Sequence, residues 1–219
     1  NTGRLNHSGT IDFTGAKNAT GIHIEGGTLN NTIDAKVEVN GIGVDIYKSV
    51  HNSKVENLGN ITAVDGIAAI RINEGATLNV DGKAASGLIK GEKTADAIRV
   101  HNGATLNTKD AQIAVNGSGS GINFMNTDDN GETFTLKGSG NITVQGKDAK
   151  GILVQGKNDS VANANFDSSG SKLQINVKDA GGNGIVTNTN GYVYSGSNVT
   201  IDSEDGGSAL IVKGKTTDI

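Results

Sequence analysis

The chain has 219 residues, a formal net charge of −4, 33 glycines, no proline, cysteine or tryptophan, and 3% aromatic residues. With no cysteine there is no disulfide framework, thiol nucleophile or Cys-ligated zinc, and with no basic stripe and few aromatics no nucleic-acid partner is expected. Glycine without a period of three excludes collagen, and no run of about 18 apolar residues is present to span a bilayer as a helix. A disordered chain is excluded as well. The apolar residues are mainly Ile, Val and Leu, set in regular short runs that disordered sequences lack.

In chain order, one element recurs: a small residue, an apolar residue, any residue, and usually a second apolar one. It appears as Gly21-Ile22-His23-Ile24, Gly43-Val44-Asp45-Ile46, Ala69-Ile70-Arg71-Ile72 and Ala97-Ile98-Arg99-Val100. It continues as Gly121-Ile122-Asn123-Phe124, Gly151-Ile152-Leu153-Val154, Gly184-Ile185-Val186-Thr187 and Ala209-Leu210-Ile211-Val212. The steps between the first apolar residues are 22, 26, 28, 24, 30, 33 and 25. A second element is Ile61-Thr62-Ala63, Ile113-Ala114-Val115, Ile142-Thr143-Val144 and Ile175-Asn176-Val177, and Gly41, Gly66, Gly117 and Gly146 close its copies. A third is GTLN at Gly27, ATLN at Ala76 and Ala104, and TFTLKG at Thr133.

The clearest pair is Ala69–Val80 (AIRINEGATLNV) and Ala97–Thr108 (AIRVHNGATLNT), identical at eight of twelve positions 28 residues apart. Period-two alternation marks short strands, and self-similarity at a period of 20 to 50 residues marks a repeat architecture. Hairpins would set neighbouring strands antiparallel and give like strands no reason to recur. Stacking each repeat on the last pairs each strand in parallel with its own copy. The expectation is an all-β, right-handed parallel β-helix, or solenoid, of about eight coils with three short strands per coil. It would form a single domain over residues 1–219 and a rod roughly 40 Å long at about 4.8 Å per coil. The left-handed form shows a strict hexapeptide repeat, which is absent.

The phrases EGATLNVDG (Glu74–Gly82), HNGATLNTKD (His101–Asp110) and GSGNITVQGKDAKGILV (Gly138–Val154) resemble the passenger domains of type V autotransporters, of the pertactin-like and self-associating adhesin kind. The resemblance runs from about Gly9 to Gly214. It implies export through the outer membrane, display on a bacterial cell surface, and aggregation, biofilm formation or attachment as a virulence trait. The partners it implies are a second copy of the chain or a host matrix protein or glycan. It implies no enzyme activity and no cofactor, and no GDSGSP-type protease motif is present. The chain opens on Asn1 without a signal peptide and carries no membrane β-barrel, so a fragment of a longer passenger, not itself inserted in a membrane, is expected.

In the first element the residue between the paired apolar positions forms an outward column: His23, Asp45, Arg71, Arg99, Asn123, Leu153, Val186 and Ile211. The next holds Glu25, Tyr47, Asn73, His101, Met125, Gln155, Asn188 and Lys213. Two of the three arginines stack here. Arg71, Arg99 and His101, with Asn73, Asn123 and Tyr47 beside them, are candidate contacts for an acidic sugar or protein partner, because a guanidinium fork matches planar and tetrahedral anions. The plain alternative is a solvated sheet face. Leu153, Val186 and Ile211 form either an exposed apolar contact stripe or a patch covered by a turn such as Lys157–Ser171. Asp128-Asp129-Asn130 and Asp202–Asp205 read as polar turns in preference to calcium loops, so no metal is expected. Two further functions stay open: a carbohydrate-active β-helix, either lyase or hydrolase or tailspike-like, and a passive stalk for a separate domain.

Overall fold

A computed structural model describes residues 3–82, 87–128, 131–157, 162–167, 172–188, 193–195, 199–204 and 206–213. All its regular structure is strand. The first pass around the axis holds β1 (Gly3–His7) and β2 (Thr10–Ile24), and the second β3 (Gly27–Asn31) and β4 (Lys36–Ile46). The third holds β5 (Ser53–Asn57) and β6 (Asn60–Ile72), and the fourth β7 (Thr77–Asp81), β8 (Leu88–Lys93) and β9 (Asp96–His101). The fifth holds β10 (Thr105–Gly117) and β11 (Ser120–Met125), and the sixth β12 (Glu132–Gln145) and β13 (Lys150–Gln155). The seventh holds β14 (Ala162–Asp167), β15 (Leu173–Val177) and β16 (Asn183–Asn188), and the eighth β17 (Val193–Ser195), β18 (Val199–Ser203) and β19 (Ser208–Val212).

Every pairing between passes is parallel, and each strand segment lies on its copy in the pass before, so three faces run the length of a β-solenoid of about seven turns. On the third face Ile22, Val44, Ile70, Ile98, Ile122, Ile152, Ile185 and Leu210 stand one above another. On the second face Ile11, Val37, Ile61, Ile89, Ile113, Ile142, Ile175 and Ile201 do the same. These columns form one continuous core. Phe124, Phe134 and Phe166 join it, with Phe124 ring centres 5.3 Å from Phe134 and 5.9 Å from Phe166. The columns reach solvent at the terminal coils, where Leu5, Phe13, Leu210 and Val212 are exposed.

Two expectations need correction. The first is three short strands per coil, which holds in the fourth, seventh and eighth passes but not in the others. β2, β4 and β6 instead run from the second face to the third without a break, and β10 and β12 from the first to the second. The corners are turned by small register shifts, as between Val39 and Asn40 and between Gly41 and Ile42. Left-handed backbone at Gly66 (φ 99°), Gly117 (φ 144°) and Gly146 (φ 101°) does the rest at the corner between the second and third faces. At Gly117 a Cβ would collide with the Lys93 backbone below it. Only glycine combines that φ with that approach at little steric cost.

The second correction concerns the GTLN and ATLN likeness. Leu29 stacks on Val55 and Val55 on Val80, while Leu78 sits over Ser53. Leu78 and Leu106 are in register. A shift of two residues keeps every side chain on its own face, so burial tolerates it and sequence likeness does not reveal it.

Candidate functional site

The third face ends at a corner where the chain turns into the first face of the next coil. The side chains along this corner and the outward columns beside it are the candidate site. Asp45, Arg71 and Arg99 lie in one column, as the alternation requires.

Asp45 is nevertheless buried, although it points away from the core. The Arg71 guanidinium grips it through Nε at 2.9 Å and a terminal nitrogen at 2.5 Å, and Asn73 Nδ2 donates to it at 2.7 Å. That carboxylate, first through its hydrogen bond, holds the Arg71 pKa above the ordinary guanidinium value, and the Tyr47 hydroxyl adds to the effect. One coil up, Asp96 is buried and accepts from both Arg99 Nε and an Arg99 terminal nitrogen at 2.7 Å. Asp96 also accepts from the Ser120 N–H and from Asn123 Nδ2, each at 2.9 Å. Asn123 in turn accepts from Gln155 at 2.9 Å.

The column is thus a polar lattice linking coil to coil, and both guanidinium forks are engaged by the chain's own carboxylates. Arg71 and Arg99, expected either as contacts for an anionic partner or as part of a solvated face, are each engaged by an aspartate of the chain. Low-dielectric surroundings make half-paired charges costly, so a buried Asp beside an Arg is stable only when its acceptor sites are filled.

His101 is half-buried. Burial chiefly, then the positive Arg99 and Arg71, pushes its pKa below the ordinary histidine value, and its Nε2 is buried without a partner. Tyr47 is exposed, and its ring centre lies 4.6 Å from that of His23, whose Nε2 meets Glu25 at 3.0 Å. Leu153 and Ile211 are half-buried and Val186 is buried. The stripe is therefore not an open apolar surface. Of the turn invoked to cover it, residues 158–161 and 168–171 lie outside the described residues.

Clefts follow the same corner. One, of about 430 Å³, is bounded by Tyr47, Lys48, Asn73, Glu74, His101, Asn102 and Thr127. A second, of about 240 Å³, shares Thr127 and adds Met125, Asn126, Gln155, Gly156 and Lys157. A third, of about 290 Å³, lies at the first coils around His23 and Glu25. Thr127 borders the first two, so these are neighbours along the corner. Glu74 is the one carboxylate bounding the cleft of about 430 Å³. Among the described residues no group of three or more His, Cys, Asp or Glu is placed to hold a metal ion. Of the polar turns considered for calcium, Asp129, Asn130 and Asp205 lie outside the described residues.

Sequence reasoning missed the asparagine ladders inside the corners. His7 Nδ1 meets Asn31 Oδ1 at 2.8 Å, and Asn31 Nδ2 donates to Asn57 Oδ1 at 2.8 Å. Asn102 and Asn126 are buried at the other corner, where Asn102 Oδ1 accepts from the Thr127 N–H at 2.7 Å. The available signal was an asparagine at the end of a strand in successive coils, closing it at Asn31 and Asn57 and directly following it at Asn102 and Asn126.

Compared with known proteins, the chain matches no family model, no curated protein and no solved structure. The fold and the site together define a β-solenoid with an internally paired polar face and clefts along one corner.

Proposed function

We infer that this chain is an adhesive rod: the passenger of a bacterial surface adhesin that acts in cell–cell aggregation or attachment to host matrix or glycans. The observation that carries this reading is the paired lattice of Asp45–Arg71 and Asp96–Arg99 beside a cleft lined by Tyr47, Asn73, His101 and Thr127 from successive coils. A rigid polar surface of that length offers many repeated weak contacts, and multivalent display multiplies them into avidity. The resemblance of Glu74–Gly82, His101–Asp110 and Gly138–Val154 to autotransporter passengers supports the same reading and accounts for export to the cell surface. The test is display of the chain on a non-aggregating bacterial host. Sedimentation of the culture, or retention on matrix-coated or glycan-coated surfaces, is expected. A displayed, folded chain that gives neither would refute it.

A further inference from the structure

We propose that the second face of the solenoid, over its fourth to eighth passes, is an interface for a second copy of this chain lying antiparallel to the first. The inference rests on the adhesive reading and names one partner and a surface for it, away from the corner clefts. The observation is a change in what this face presents. In the fifth to seventh passes its outward columns hold six amides: Gln112 and Asn116, Asn141 and Gln145, Gln174 and Asn176. Ala114 and Thr143 stand in the column between them. Lys178, at the margin, is the one charged residue of these positions and pairs with Glu204 at 2.6 Å. Elsewhere the outward positions carry charge: Lys36 and Glu38 lower on the same face, Lys54 and Glu56 on the first, Arg71 and Arg99 on the third.

Such a face suits its own copy. An amide both donates and accepts, so a surface of amides is complementary to itself. Asn116, Thr143 and Gln145 make no side-chain hydrogen bond among the described residues, and Gln174 and Asn176 bond only each other, at 2.9 Å. In a two-fold contact each residue lies near its own counterpart, so a charged face repels itself and a neutral one does not. Two copies also share one coil spacing, about 4.8 Å, and their columns stay in step from coil to coil. The margins set the direction. In the column of Thr143, Lys90 lies two coils before it and Asp202 two coils after it. With the rods antiparallel about an axis at Thr143, Lys90 of each copy meets Asp202 of the other. With the rods parallel, lysine meets lysine and aspartate meets aspartate, which costs binding energy. Glu92 and Glu204 face one another in the antiparallel arrangement, but each holds its own lysine, Lys90 and Lys178, at 2.6 Å. Rods displayed on two facing cells approach in this direction. Five coils of this face, five residues wide, present about 400 Å², about half of what a stable complex buries per partner. One contact is therefore weak, and many displayed copies make it hold.

The experiment follows the purified chain by sedimentation equilibrium and by the clumping of beads that carry it. The mass should rise with concentration toward that of a dimer, and the beads should clump. Thr143→Lys sets lysine against lysine at the axis and should weaken association at least about tenfold. Thr105→Lys, outward on the first face, should leave it unchanged. Lys90→Asp and Asp202→Lys should each weaken association of the variant with itself, and the double variant Lys90→Asp/Asp202→Lys should restore it. Circular dichroism checks that each variant is folded, and Thr143→Glu takes the place of Thr143→Lys if that one is not. A mass independent of concentration with beads that stay dispersed, unaltered association in the Thr143 variant, or no recovery in the double variant would overturn the proposal. So would a Thr143 variant that still self-associates but no longer attaches to a matrix or glycan surface, which would give the face to a host partner. Cells that clump or attach equally well with Thr143→Lys would sink this inference and leave the adhesive reading standing. Purified chains that pair through this face while displaying cells neither clump nor attach would do the reverse.

Discussion

Asp96 is the point at which the outward lattice is most exposed to a single substitution. Its buried carboxylate receives the Arg99 fork, the Ser120 N–H and Asn123 Nδ2. Asp96→Ala removes the acceptor and leaves a guanidinium, a backbone N–H and an amide facing a small cavity. Breaking one partner of a buried pair costs about 3–5 kcal/mol, and each orphaned donor about 1–3 kcal/mol. The Arg99 side chain keeps 21% of its exposure and can rehydrate in part, so the lower range applies, about 3–4 kcal/mol. Asp96→Asn retains an acceptor for Ser120 and should lose about half as much. In urea, with a slope of about 2 kcal/mol per molar, the alanine variant should unfold roughly 1.5–2 M earlier. Because a solenoid is close to a chain of nearest-neighbour interfaces, the loss should fall on the fourth and fifth coils and divide the transition into two. Circular dichroism during urea titration, combined with an Asp96→Asn/Arg99→Met double-mutant cycle, reads both effects. A midpoint shift under about 0.5 M, or no coupling between the two positions, would refute the view that this lattice holds the coils in register.

Other perturbations test the remaining levels. Ile98→Ala empties a buried position between Ile70 and Ile122 and should cost about 2–5 kcal/mol by the same urea assay. Thr187→Val replaces a buried hydroxyl without a partner, in the column of Phe124 and Val154, and should raise stability by about 1 kcal/mol. Gly117→Ala forces a Cβ into the Lys93 backbone at a left-handed φ, so its urea midpoint should fall while the distant Thr187→Val gain remains additive. His101 has a folded pKa below its unfolded value near 6.5, so the unfolded chain takes up the proton first. Its contribution to stability is therefore present above about pH 6.5 and falls with acidification from there toward the folded pKa. His101→Asn should flatten the urea midpoint between pH 7.5 and 5.5, and an unchanged slope would exclude His101 as its source.

The columns were legible in the one-dimensional pattern because strand geometry permits only two directions for a side chain. Once Ile22 and Val44 head equivalent motifs, stacking places them together, and His23, Asp45 and Arg71 must share the opposite side. What that pattern cannot carry is depth and partnership. Alternation places Asp45, Asn123, Arg71 and Arg99 on the outer side, but it does not tell that Asp45 and Asn123 are buried or that both arginines are engaged by aspartates. Asp96 supplies the Arg99 pair from just outside the strand motif, and Ser120 and Gln155 reach the same network from other coils, 24 residues from Asp96 and 32 from Asn123. The offset of Leu78 from Leu29 is of the same kind, since a two-residue slip leaves the inside–outside alternation intact.

Fold class, the parallel stacking of like strands and the make-up of the core were determined by the sequence itself, through the period-two alternation of Ile, Val and Leu. The tertiary structure alone decided which polar groups satisfy one another, where strands cross a corner unbroken, and where clefts open along the corner. The physical reason is range. Alternation is fixed by the backbone of neighbouring residues, whereas hydrogen bonding, burial and cleft shape depend on side chains that meet only after the chain has completed a turn.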